Sequence, residues 1–135
     1  MRTTPTDLQE IIYVSTLAAD VPVRVVADIA VKARCRNKDA DITGLLIFDG
    51  LHFCQQLEGV AAKVAEVMAR IRLDPRHHGV FIVHQGPLAQ RRFCRFSLGY
   101  TSAEDVELLK RLQQLQGQAA VKAFMDLLAG LDMDE

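Results

Sequence analysis

Apolar and polar positions change period several times along this chain, and each change marks an element. LQEIIYVST (8–16) is an apolar, β-branched run and reads as a strand. Asp20 and Pro22 then stand where a helix N-cap and an early helical position would fall. VRVVADIAVKARCRN (23–37) follows, with Val25, Val26, Ile29, Ala30 and Ala33 at helical spacing and Arg24, Asp28, Lys32 and Arg36 opposite. ITGLLIFDG (42–50) reads as a strand ending in a turn, because Asp49-Gly50 is a strong two-residue hairpin signal. LHFCQQLEG (51–59) is the expected antiparallel partner. VAAKVAEVMARIRLD (60–74) returns to the helical period, with Val60, Val64, Val67, Met68 and Ile71 on one stripe, and Pro75 stops it. GVFIVHQG (79–86) and RRFCRFSLGY (91–100) are two further strands. Thr101-Ser102 reads as a helix start, before amphipathic helices at roughly 103–115 and 118–131 that break at Gly117.

The order β-α-β-β-α-β-β followed by α-α predicts an α+β fold of ferredoxin-like type, a mixed sheet with two helices on one face. The other face needs a cover, and the C-terminal helix pair is the available one. No low-complexity stretch or linker divides the 135 residues, so one core is expected. Residues 1–100 form its main part and 101–135 a helical cap of the same domain.

Composition narrows the function classes. The formal net charge of -1 announces neither a nucleic-acid nor a membrane-surface partner. No apolar run is long enough to span a bilayer, and MRTTPTDLQEII lacks the apolar core of a secretory signal. Cys35, Cys54 and Cys94 are odd in number and widely spaced, which argues against a disulfide framework and a zinc site. A cytoplasmic protein with reduced thiols is expected.

Catalytic constellations are scarce. His77-His78 beside Arg76 are neighbours on an extended segment and point apart, so a metal site is not expected. Gly44, Gly50 and Gly59 sit in or beside strands and make no phosphate loop. Asp39, Asp41 and Glu58 read as solvated charges. What stands out is polarity on apolar elements. Tyr13 shares a strand face with Ile11 and Ser15, and Gln55 shares one with Phe53 and Leu57. Asn37 ends the first helix, and Arg70 sits one turn before the end of the second. A buried amide without a partner costs about 1–3 kcal/mol, so Gln55 needs one, either a protein group such as Tyr13 or a bound ligand.

These segments carry a resemblance. IIYVS (11–15), ARCRN (33–37), ITGLL (42–46), FCQQLEG (53–59), DPRHH (74–78) and RRFCRFSLGY (91–100), in order over about residues 8–100, resemble the BLUF family, the sensors of blue light using FAD. The resemblance implies a flavin, FAD, held non-covalently between the two sheet-packed helices. It matches Tyr13 to the family's photoactive tyrosine, Gln55 to its flavin-contacting glutamine and Asn37 to its flavin-binding asparagine. Arg70 and Asp74 fall on positions like its ring-contacting arginine and neighbouring aspartate, and Arg36 and His77 on positions lining the pocket. The implied chemistry is a light-driven electron and proton transfer from Tyr13, reversed after the Gln55 amide rearranges. The flavin is left chemically unchanged, and no substrate is turned over. Ser15, Phe96 and Leu98 take signal-relay positions. The family usually shows tryptophan and methionine where Phe96 and Leu98 stand, so an indole N–H donor and a flexible thioether are missing.

A short sensor of this kind is expected to act through a downstream protein partner in a light-dependent way. Surplus apolar surface on the C-terminal helices would also serve a homo-oligomer. The alternative is a non-photochemical ligand-binding or interaction module of the same fold.

Overall fold

The structure is a computed structural model, and it describes residues 7–93, 99–102 and 106–129. In chain order the elements are β1 (Leu8–Leu17), α1 (Val25–Asp39), β2 (Thr43–Phe48), β3 (His52–Val60) and α2 (Ala61–Leu73). They continue with β4 (His77–Leu88), β5 (Gly99–Ser102), α3 (Val106–Leu112) and α4 (Gln118–Ala129). The five strands form one mixed sheet in the order β4-β1-β3-β2-β5. All neighbours are antiparallel except β2 and β5, which run parallel. This is the ferredoxin-like arrangement with a helix pair added. No helix among the described residues is long and apolar enough to cross a membrane.

Boundaries differ from the pattern where local chemistry intervenes. Asp20 and Pro22 do not open α1. Two turns, Val25 N–H to Pro22 O and Val26 N–H to Val23 O, come first, and the N-cap is Arg24, without a side-chain cap bond. The β2–β3 turn is centred one residue later than Asp49-Gly50. Asp49 N–H bonds His52 O at 3.1 Å, leaving Gly50 and Leu51 as the two central residues. Gly50 sits at φ +98°, the left-handed conformation such a turn demands at its first position. The Asp49 carboxylate meanwhile accepts from the Leu51 and His52 amides. Strand β4 is longer than its apolar run because His77 and His78 pair with Leu17 and Thr16. It also reaches past Pro87, which an edge strand tolerates. Thr101 and Ser102 end β5 and do not start a helix, and residues 91–93 are not strand. Val60 is the last residue of β3 and exposed, off the buried stripe of α2.

Strand alternation sorts the core into two layers. Ile11, Tyr13, Leu17, Leu46, Phe48, Phe53 and Leu57 face α1 and α2, packing on Val26, Ala30, Val64 and Met68. Ile12, Val14, Leu45, Ile47 and Cys54 face the other way, where Leu109 and Leu112 of α3 and Ala120, Val121 and Phe124 of α4 cover them. Burying a side chain such as Phe124 completely contributes about 1.5–3 kcal/mol, so the cap is part of the core. Gly117, at φ +64°, makes the break between α3 and α4, and its N–H donates to Val83 O at 2.8 Å.

The capped face also holds charge. Glu58 is fully buried there, not solvated, and it lies directly opposite Glu10 on β1. Donors from Thr43, Gln56, Arg92 and Phe93 surround it.

Candidate functional site

A cavity of about 350 Å³ lies on the face that α1 and α2 cover. Its walls are apolar: Ile29 and Ala33 from α1, Leu46 and Phe53 from the sheet, Val67 and Ile71 from α2. Every polar residue singled out for a ligand lines it: Tyr13, Gln55, Asn37, Arg36, Arg70, Asp74 and His77. They come from β1, β3, α1, α2, the turn into β4 and the first residue of β4, so only the folded chain brings them together.

Tyr13 and Gln55 are directly opposed in the β1–β3 ladder, and both are nearly buried. The Tyr13 hydroxyl donates to Gln55 Oε1 at 2.5 Å. Burial pushes the Tyr13 phenol above its usual range, with Cys54 and Asp74 adding in the same direction. Tyr13 is therefore a protonated donor. Its bond sets the amide, so that Nε2 is the Gln55 atom left over. Among the described residues no acceptor bonds that nitrogen. Asn37 sits in the last turn of α1 in a buried position, and its carbonyl accepts from Ile42 N–H at 2.8 Å.

His77 is held on both ring nitrogens. Nε2 lies 2.6 Å from Ile71 O, and a carbonyl only accepts, so Nε2 carries the proton. Nδ1 lies 2.8 Å from Ser15 Oγ, which donates to it in the neutral ring. This fixed ring stands edge-on to Tyr13 and Phe53, with centroids 6.4 and 6.1 Å away. Ser15 is thus fully buried beside the site as a support for His77. Phe96 and Leu98, the other relay positions, lie outside the described residues.

Arg76 also lines the cavity, though residue pattern did not mark it. Its guanidinium forks onto Asp74, Nε to Oδ1 at 2.9 Å and Nη2 to Oδ2 at 2.6 Å. That bond outweighs partial burial and holds the Asp74 carboxyl at about 2. The Asp-x-Arg spacing in DPRHH was the available signal. With Asp74 so matched, Arg36 and Arg70, both exposed, leave the cavity a cationic border. Among the described residues no cluster of His, Cys, Asp or Glu could hold a metal ion.

The residues present fit a flavin. An apolar slot suits a planar ring, the spare Gln55 nitrogen suits a ring carbonyl, and arginines suit phosphate. Residues 8–99 match the family model described as sensors of blue-light using FAD. The chain is 38% identical over 73 residues to the blue light- and temperature-regulated antirepressor BluF of Escherichia coli K12. That match takes in 54% of this chain and 18% of the relative, so most of the antirepressor has no counterpart here. A BLUF protein, BlrB in its dark state, superposes with a TM-score of 0.69 at 31% identity, over 79% of this chain and 82% of that one. BlsA in its photo-activated state reaches a TM-score of 0.79 at 22% identity, over 95% of this chain and 99% of that one, a likeness of fold alone. A family match over residues 8–99 and a cavity that gathers Tyr13, Asn37 and Gln55 on one face of the sheet agree: the chain belongs to the BLUF family, the sensors of blue light using FAD.

Proposed function

We propose that this chain is a blue-light photoreceptor in which Tyr13 and Gln55 form the switch and the signal passes to a protein partner. The observation that carries the proposal is the Tyr13–Gln55 bond at the cavity wall, with the amide nitrogen bonded by no acceptor among the described residues. A bound flavin supplies blue-light absorption and electron acceptance. The chain supplies orientation and a movable proton. Tyr13 holds that proton at Oη, lends it along its bond to Gln55 Oε1 and recovers it at Oη, so that the rearranged amide is left with no net change in protons. A half-turn of the Gln55 amide exchanges its two ends. Nε2 then donates to Tyr13 Oη, and Oε1 is presented to the cavity. With a flavin filling the cavity, the apolar walls leave no room for water to compete for either end. Asn37, Arg70 and Asp74 are the groups we assign to holding the ring, with Arg36 and His77 at its border. FAD is the assigned flavin. Residues 101–135 serve as a cap on the domain formed by 1–100, and the output is a light-dependent contact with another protein.

The test is the visible spectrum of the purified chain before and after blue light. The expected result is an oxidised-flavin spectrum that shifts slightly to the red and reverts in darkness, with the shift absent in Tyr13→Phe. A colourless chain that FAD does not reconstitute would overturn the proposal. Pull-downs that recover identical partners in light and dark would overturn its output half.

A further inference from the structure

The capped face of the sheet carries a second polar centre that the cavity does not use. Glu10 and Glu58 stand directly opposite each other in the β1–β3 ladder, and both are fully buried. Like charges placed so repel, and a carboxylate buried there loses its hydration. The pair survives because each carboxylate is saturated. Glu58 accepts from Thr43 Oγ1 at 2.7 Å, Gln56 Nε2 at 2.9 Å, and the backbone N–H groups of Arg92 and Phe93, each at 2.9 Å. Glu10 faces Gln56 Nε2 at 3.0 Å, Arg92 Nε at 2.8 Å, Arg92 Nη2 at 3.0 Å and His84 Nε2 at 3.2 Å. Four donors fill the acceptor sites of one carboxylate, so neither has an acceptor site to spare. Gln56 bridges the two with its nitrogen, and its buried Oε1 finds no partner among the described residues. Such an orphan is unfavourable, a further sign that the bridge is held against local preference.

The donors have a direction. Apart from Thr43, Gln56 and His84 within the sheet, they come from Arg92 and Phe93, the last described residues before the chain reaches β5. Arg91 adds bonds to Thr43 Oγ1 and Asp41 O, both at 2.9 Å. The Phe93 ring stands edge-on to Phe124 of α4, centroids 6.3 Å apart. A continuous set of contacts thus runs from the ladder that holds Tyr13 and Gln55, through two carboxylates and two consecutive residues, to the second cap helix.

We infer that the Glu10–Glu58 pair is a latch: it fixes Arg92 and Phe93, and through the Phe93–Phe124 contact it ties the placement of α4 to the β1–β3 ladder. Glu58 and Arg92 are positioning residues of this coupling and touch nothing in the cavity. The latch does not depend on what the cavity binds, so its test is run in darkness on the purified chain.

Amide hydrogen exchange reads it residue by residue. In Glu58→Gln, one carbonyl oxygen cannot serve four donors, and the new NH₂ faces them. The expected result is exchange about tenfold faster at Arg92 and Phe93 and at least about threefold faster in α4, with the β1–β3 amides slowed or unchanged. In a Phe124→Leu background, Glu58→Gln should no longer affect α4. If Glu58→Gln does not fold, Arg92→Lys keeps the charge, loses the fork and should behave alike. Phe93→Leu replaces Phe124→Leu on the same terms. Three outcomes would overturn the latch: α4 unmoved by Glu58→Gln, α4 moved equally with and without the ring contact, or β1–β3 accelerated as much as α4.

Discussion

The bond between Tyr13 and Gln55 can be weighed directly by a double-mutant cycle in the ligand-free chain. Tyr13→Phe removes the donor and leaves Gln55 Oε1 unpaired in a side chain only 5% exposed. Gln55→Leu removes the acceptor and strands the Tyr13 hydroxyl in a residue 4% exposed. A buried group left unsatisfied costs about 1–3 kcal/mol, and the lower half applies because the adjoining cavity admits water. Each single change should therefore destabilise by about 1–2 kcal/mol. The double change replaces both partners with apolar groups of similar shape, which is nearly neutral. It should cost less than the sum by about 2–4 kcal/mol. With a urea slope of about 2 kcal/mol/M, a coupling of that size moves the midpoint by about 1–2 M. Urea unfolding followed by far-ultraviolet circular dichroism measures all four corners. Additivity within about 0.5 kcal/mol would show that the two side chains are neighbours without an energetic bond, and the switch would lose its physical basis.

Three other outcomes follow from single features. Asp74 is held at about 2 in the folded chain by Arg76, below its ordinary value, so its stabilisation is complete above pH 4 and lost as pH falls toward 2. Asp74→Asn should flatten the acid limb of a pH–stability curve over that window and lower the curve above pH 5 by a constant amount, without changing its slope there. A Cβ on Gly44 would sit 1.9 Å from Gln56 O at a backbone φ of +152°, so Gly44→Ala should destabilise by about 3 kcal/mol or more, read by the same unfolding assay. Burial pushes the Cys54 thiol far up, while Cys35 is exposed. A thiol reagent followed by mass spectrometry at pH 8 should modify Cys35 and spare Cys54 until the chain unfolds.

Elements with a clean period were legible: β1, β2, β3 and both central helices fall within two or three residues of their apolar patterns. The same holds for the site's buried members, because Tyr13, Gln55 and Asn37 are polar residues on faces that should be apolar. What could not be read locally depends on distant partners. RRF (91–93) looks like the start of a strand, yet its amides and guanidinia are taken by carboxylates more than 30 residues away. Glu58 reads as a surface charge because nothing beside it announces Arg92. The role of Arg76 is equally hidden, since an Asp-x-Arg spacing becomes a fork only once the turn into β4 is formed. The hairpin turn moved by one residue because register there is set by the apolar match of Phe48 with Phe53 across the ladder.

The seat of His77 has a consequence for how the wall beside Tyr13 can move. Ser15 on β1 holds Nδ1 and the Ile71 carbonyl of α2 holds Nε2, so one ring spans sheet and helix. The ring cannot turn over without breaking both bonds. It works as a strut that keeps β1 and the end of α2 at a fixed spacing: Ser15→Ala frees one end, and amide hydrogen exchange should then quicken at the end of α2 while the β1–β3 amides stay as they were.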